Sequence, residues 1–207
     1  MNRPAESQRV FIIDDDDAVR DAMSMLLDAD SIAHTCFENA GEFFEAYDGS
    51  QRGCLVLDIR MPGMTGLELQ AKLKQIGATL PSIFMTGHGD VPMAVEAMRQ
   101  GAIDFMRKPI SETDLLERIQ QALQQESGLR DQIENLEKKH ALLASLTQRE
   151  LQIFRHVAEG LANKAIAIDF GISERTVEVH RSQVMKKLGV KTLAQLVRLH
   201  LEFGGEA

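Results

Sequence analysis

The chain has 207 residues, 44% of them hydrophobic, with 23 Lys and Arg against 31 Asp and Glu. That length allows two ordinary domains, and no apolar run approaches the roughly 20 residues of a membrane helix. The net charge of -8 excludes a strongly basic protein and counts against general nucleic-acid binding.

The start, Met1-Asn2-Arg3-Pro4-Ala5-Glu6, lacks the apolar core of a signal peptide. Cys36 and Cys54 are the only cysteines, and both sit in apolar surroundings. Together these features imply a reduced, cytoplasmic protein. The charge is uneven. Residues 1–125 carry 11 Lys and Arg against 20 Asp and Glu, while residues 126–207 carry 12 against 11.

In chain order, Val10-Phe11-Ile12-Ile13 reads as a buried strand ending at Asp14 and Asp15. A helix over 18–28 follows, then a weakly patterned strand over 32–37 and a helix over 40–47. Cys54-Leu55-Val56-Leu57 is a second apolar run, ending at Asp58, with a helix predicted over 66–75. Ser82-Ile83-Phe84-Met85 ends at Thr86 and precedes a helix over 91–100. Ile103-Asp104-Phe105-Met106 leads to Lys108-Pro109 and a helix over 112–125. Strands alternating with helices imply βαβ units, here a flavodoxin-like, doubly wound α/β domain with a parallel sheet.

In such a sheet, ligands bind at the C-terminal strand ends. Asp14, Asp15, Asp58, Thr86 and Lys108 all fall there. Three carboxylates suit a hard cation such as Mg2+. An isolated Asp58 can act as a nucleophile towards a phosphoryl group, with Lys108 and Thr86 placed to steady its oxygens. An acidic run such as 14–17 is more often a solvated helix cap, the role expected of Asp16 and Asp17. His34 and His88 are expected to be structural or solvated. Met23, Met25, Met93 and Met98 are expected to fill the core or helix interfaces.

The segments Ile13-Asp14-Asp15, Leu57-Asp58-Ile59-Arg60-Met61-Pro62-Gly63-Met64-Thr65-Gly66, Thr86-Gly87 and Asp104-Phe105-Met106-Arg107-Lys108-Pro109 resemble a bacterial response-regulator receiver domain. The match covers about residues 8–125. The stretch from Thr86 to Met98 resembles the FixJ type in particular. The resemblance implies phosphorylation of Asp58, with Asp15, Asp58 and the Arg60 carbonyl holding Mg2+ beside Asp14. It makes Thr86 and Phe105 the switch pair and Lys108 the conserved lysine, usually followed by a cis bond to proline.

From Leu115 the apolar spacing alternates four and three: Leu115, Ile119, Ala122, Leu129, Ile133, Leu136 and Leu143, with Glu126 and His140 in the same register. That is a heptad with polar defects. It reads either as a linker helix that pairs with a second copy or as a solvated linker on its own domains. The expected division is a receiver over 1–125, a helical linker over 126–141 and a DNA-binding domain over 142–207.

The last part reads as four helices. Thr147 and Glu150 form a capping box for the first. The second covers 163–169, Ser173 caps a third running to Leu188, and the fourth covers 192–201. The second and third form a helix-turn-helix. Its expected buried set is Ala165, Ile166, Ile172, Val177, Val184 and Leu188. The outer face of the third helix carries Arg175, Glu178, Val179, Arg181, Ser182, Lys186 and Lys187, able to meet phosphates or base edges. Asn163, Lys164 and Thr176 stand near helix N-termini, where phosphates bind.

Leu146-Thr147-Gln148-Arg149-Glu150, the segment from Gly160 to Ala167, and the segment from Ile172 to Arg181 resemble a LuxR/FixJ-type helix-turn-helix, over about residues 142–205. Ala165 departs from the family, which usually carries Ser or Glu there. The combined resemblance implies a non-enzymatic two-component regulator. A sensor histidine kinase would phosphorylate Asp58. The protein would then form a homodimer, bind double-stranded promoter DNA and regulate transcription, activating it through RNA polymerase. A constitutive DNA-binding regulator with a non-signalling receiver is the alternative. A metal-dependent phosphatase using the acidic site is a more distant one.

Overall fold

A computed structural model of the chain describes residues 7–87 and 91–203. The chain divides into two compact units, Met1–Gln132 and Ile133–Ala207.

In the first unit β1 (Arg9–Ile13), β2 (His34–Phe37), β3 (Gly53–Asp58), β4 (Ser82–Thr86) and β5 (Asp104–Arg107) form one sheet in the order β2-β1-β3-β4-β5. All four pairings are parallel. The helices between them are α1 (Asp17–Ala29), α2 (Ala40–Ala46), α3 (Gly66–Gln75) and α4 (Val91–Arg99). This is the doubly wound, flavodoxin-like topology expected from the alternation of apolar runs. The strand period of two sends successive side chains to opposite faces. Phe11, Ile13, Leu55, Leu57 and Phe84 join the core with Phe43, Leu69 and Leu73. Val10, Ile12, Cys54, Val56, Ile83 and Met85 pack instead with Met23, Leu27, Leu115 and Ile119. Both faces are covered, so the central strands are uniformly apolar rather than alternating.

β3 begins one residue earlier than its apolar run, at Gly53. A Cβ there would lie 1.7 Å from the Arg9 carbonyl oxygen, so only glycine lets β3 close on β1. Two methionines depart from expectation. Met25 and Met98 are exposed. The buried stripe of α1 is Met23 and Leu27, and position 25 lies about 200° around the helix from Met23. On α4 the buried residue is Ala97, which leaves Val91, Val95 and Met98 in solvent.

α5 is one helix from Glu112 to Ala144, 33 residues and about 50 Å long. The heptad register along it divides into three stretches. Leu115, Ile119 and Ala122 pack on the sheet of the first unit. Glu126 continues that buried face at 0% exposure. It accepts from Gln8 Nε2 at 2.7 Å and from Arg52 Nε and Nη2 at 3.2 Å. Glu126 is therefore an internal ion-pair anchor of the first unit, not a defect in an intermolecular seam. Near the C-terminal end, the His140 ring meets Phe203 at 5.5 Å and Leu143 packs on the core of the second unit. Only Leu129, Ile133 and Leu136 remain open, at 39%, 38% and 51% exposure. Lys138 pairs with Glu134 at 3.4 Å, and Lys139 with Glu202. Limited trypsin digestion is expected to spare Arg130, Lys138 and Lys139. Rapid cutting there would contradict a continuous helix.

The second unit adds α6 (Gln148–Ala158), α7 (Asn163–Phe170), α8 (Glu174–Leu188) and α9 (Leu193–Glu202). Ile153, Phe154, Val157, Ile166, Val177, Val184, Leu188 and Leu196 form its core. Ala165, expected inside, is exposed, and Ala167 is buried in its place. Both neighbours of Ile166 lie about 100° around the helix from it, and it is the C-terminal one that faces the core. α7 ends at Gly171, whose left-handed φ of 65° turns the chain into the Ser173 cap of α8.

The Thr147–Glu150 capping box does a second job. The Glu150 carboxylate also accepts from Lys187 Nζ of α8 at 2.6 Å. Lys187, then the Thr147 amide, hold this carboxyl down to about 2, against an ordinary value of 4.5. A carboxylate depressed by folding contributes stability above its unfolded pKa, which is lost as pH falls through the folded one. Wild type is therefore expected to lose about 2 kcal/mol between pH 4.5 and pH 2 from this contact, after solvent screening. Glu150→Gln should be less stable than wild type at neutral pH and lack that part of the acid-induced loss. Parallel unfolding curves of the two proteins across this range would contradict the assignment.

Candidate functional site

The C-terminal strand ends bring Asp14, Asp58 and Lys108 into direct contact, while Asp15 is exposed and outside that contact. Asp14 follows β1, Asp58 ends β3, and Lys108 follows β5 with a cis bond to Pro109. Lys108 Nζ lies 2.6 Å from Asp14 Oδ2 and 2.8 Å from Asp58 Oδ1. The other Asp58 oxygen accepts the Arg60 N–H at 2.7 Å, and Asp14 Oδ1 accepts the Asp16 N–H at 3.0 Å. Asp14 is 1% exposed.

Burial pushes the Asp14 carboxyl upward against the opposing pull of Lys108, and the Asp58 charge adds to the rise. Burial alone would lower the Lys108 ammonium, but its contacts with Asp14 and Asp58 outweigh this, and its pKa rises. The lysine therefore stays charged, yet one ammonium does not neutralise this pocket. A second cation would fit. Asp58 supplies a hard carboxylate oxygen within the pocket, and Asp15 follows Asp14 in the chain with its side chain exposed. Among the described residues no three acidic, His or Cys side chains form a metal cluster by themselves.

Thr86 ends β4 and is buried. Its carbonyl accepts the Lys108 N–H at 2.8 Å, which ties the β4 end to the lysine loop. Phe105 is half-buried on β5, in register with Phe84. Asp16 caps α1 through the Ala18 N–H at 2.9 Å. His34 bonds the Ile32 carbonyl oxygen at 3.1 Å. His88 lies outside the described residues.

Two residues of this site had no assigned role. Arg20 donates to the Asp14 carbonyl at 2.6 Å and fixes the acidic turn. Gly66 opens α3 directly against the Asp58 carbonyl. A Cβ on it would stand 2.3 Å from the Asp58 carbonyl oxygen and 3.1 Å from the Phe84 ring. Gly66→Ala must therefore push α3 away from Asp58, at a cost of about 1–3 kcal/mol. Urea denaturation should register that loss, together with slower phosphoryl uptake. Unchanged stability would show that the loop absorbs the methyl group.

The helix-turn-helix residues separate into two groups. Arg175, Glu178, Val179, Ser182 and Lys186 stand exposed on α8, and Lys164 on α7. Arg181 turns inward, its Nη1 donating to Asn163 Oδ1 at 2.7 Å. Lys187 is engaged by Glu150 and by the Ser145 carbonyl at 3.2 Å. Thr176 is half-buried beside the Ser173 cap, their hydroxyls 2.8 Å apart. No helix of the described residues is long and apolar enough to cross a membrane.

Comparison with known proteins fits this geometry. The family described as response regulator receiver domain matches residues 10–120, and that described as bacterial regulatory proteins, luxR family, matches residues 144–200. The transcriptional regulatory protein FixJ of Azorhizobium caulinodans is 44% identical over 96% of this chain and 94% of its own. The response regulator protein TmoT of Ectopseudomonas mendocina is 42% identical over 92% of this chain and 86% of its own. A solved structure of the response regulator StyR, at low resolution, superposes with a TM-score of 0.91 and 44% identity, covering 95% of this chain and all of that one. An acidic pocket bridged by one lysine at the strand ends, followed by a LuxR-type helix-turn-helix, places this chain in the FixJ-like family of two-component response regulators.

Proposed function

We propose that Asp58 accepts a phosphoryl group from a sensor histidine kinase and that the modified protein pairs with a second copy on promoter DNA. The observation that carries this is the Lys108 ammonium shared between Asp14 and Asp58. In the transfer, an Asp58 carboxylate oxygen forms a bond to phosphorus as the bond from phosphorus to the kinase histidine nitrogen breaks. Lys108 then has a phosphoryl oxygen to meet in place of Asp58 Oδ1. The buried position of Thr86 supports a hydroxyl contact to another of those oxygens, drawing Phe105 to repack. Asp15, Asp58 and the Arg60 carbonyl would hold Mg2+, whose charge offsets the crowding of anionic oxygens.

The face carried by residues 91–100 and 111–125 would pass the change outward. Val91, Val95 and Met98 lie exposed there, which supports pairing with a second copy. The exposed polar face of α8 supports insertion into the major groove. Relatives named as transcriptional regulatory proteins support regulation of transcription, with activation through RNA polymerase as the reading adopted. The test is incubation of the full chain with acetyl phosphate and Mg2+. Intact mass should show one phosphoryl group, light scattering a dimer, and promoter fragments tighter binding. A wild-type protein that takes no phosphoryl group would overturn the proposal and leave a constitutive regulator.

A further inference from the structure

We propose that Glu178 and Val179 are the base-reading pair of α8, Glu178 selecting a cytosine and Val179 an adjacent thymine in each operator half-site. The inference rests on the DNA-binding reading above and deepens it from "binds promoter DNA" to named bases.

Val177, Val184 and Leu188 form the buried stripe of α8. On the opposite side Arg175, Glu178, Val179 and Ser182 together line one shallow, open surface. The spacing i, i+3, i+4, i+7 puts these four on a single face. Arg175, Glu178 and Val179 belong to the first half of the helix, the part that reaches base edges in a helix-turn-helix. Among the described residues, neither Glu178 nor Arg175 is engaged in a hydrogen bond or ion pair. Val179 is 54% exposed. Of the cations within a turn of Glu178, Arg181 is directed to Asn163, and Arg175 shares its face without an ion pair to it.

A solvated glutamate or a lone exposed valine on a helix surface is ordinary. On a face that meets DNA the balance differs. An unpaired carboxylate repels every phosphate it passes, so it weakens binding to all sequences alike. It gains only where a base edge offers an N–H. In the major groove guanine shows two acceptors and thymine shows the O4 acceptor, so both repel a carboxylate. Adenine shows its amino group beside the N7 acceptor, a mixed edge. Cytosine shows the N4 amino group alone, and a carboxylate accepts from it without opposition. Val179, one residue on, has no polar atom to offer. Its counterpart in the groove is the one apolar group there, the thymine C5 methyl.

The test uses the full chain, treated with acetyl phosphate and Mg2+, in selection from a random duplex library. Wild type should enrich a motif with a fixed cytosine and a neighbouring thymine in each half-site. Glu178→Ala should lose the cytosine preference, on the order of 10-fold, and bind non-specific DNA more tightly. Glu178→Gln should move the preference at that position towards adenine, whose mixed edge suits an amide. Replacing the thymine by deoxyuridine should weaken wild type and leave Val179→Ser, which has no methyl group to offer, unaffected. An identical motif from wild type, Glu178→Ala and Glu178→Gln overturns the base assignment while leaving the DNA reading intact. A library from which no form enriches any motif overturns the DNA reading, and the assignment with it.

Discussion

Asp58→Asn is expected to abolish phosphoryl uptake completely while leaving the receiver folded. The amide oxygen of asparagine is a poor nucleophile, so no acyl phosphate forms. The hydrogen bonds are preserved in outline: the Arg60 N–H still meets a side-chain oxygen, and Lys108 keeps Asp14. The substitution also relieves crowding, because the Asp58 charge is one of the causes that raise Asp14. Stability should therefore stay within about 1 kcal/mol of wild type. Intact mass after acetyl phosphate and Mg2+ checks the chemistry, and thermal melting checks the fold. A single adduct persisting on the variant would move the acceptor to Asp14 or Asp15.

The largest stability loss among surface-accessible positions is expected at Arg52. Its guanidinium, 20% exposed, holds the fully buried Glu126 carboxylate. Arg52→Ala leaves that carboxylate with Gln8 Nε2 as its remaining side-chain donor within the first unit, and stranding a buried charge costs about 3–5 kcal/mol. Glu126→Gln should cost less, because Arg52 can turn to water. Arg52→Ala combined with Glu126→Leu should recover most of the loss, since an apolar pair needs no desolvation of charge. Denaturant midpoints for the three variants give the answer directly. Amide exchange adds a second readout: in Arg52→Ala the backbone of α5 beyond Ala122 should open before the sheet does. Equal midpoints for wild type and Arg52→Ala would show that the carboxylate finds other compensation.

Much of the receiver was legible because its strands end in polar residues. Each apolar run places one functional group at the same sheet edge, so Asp14, Asp58, Thr86 and Lys108 could be read together. The role of Gly66 was not legible. Its need for no side chain depends on how closely α3 approaches the Asp58 carbonyl, a distance set by tertiary packing. Glu126 was misread for a related reason. A charged residue in an apolar register looks like a defect until its partners, Gln8 and Arg52, more than 70 residues away in sequence, are seen. The heptad pattern is real but serves two separate cores, with only Leu129, Ile133 and Leu136 left between them. In the second unit the caps at Thr147 and Ser173 fixed helix starts well. The burial of Ala167 rather than Ala165 was beyond pattern reading, because two alanines carry no amphipathic signal.

The inward turn of Lys187 onto Glu150 bears on how a regulator finds its target. Each phosphate neutralised by a bound cation steepens the dependence of log affinity on log salt by about 0.9. With Lys187 and Arg181 engaged inside the domain, the cations left on α7 and α8 are Lys164, Arg175 and Lys186. The protein's grip on random sequence is therefore expected to be weak and to change gently with ionic strength. A regulator holding random sequence through so few cations would search by repeated collision rather than long sliding.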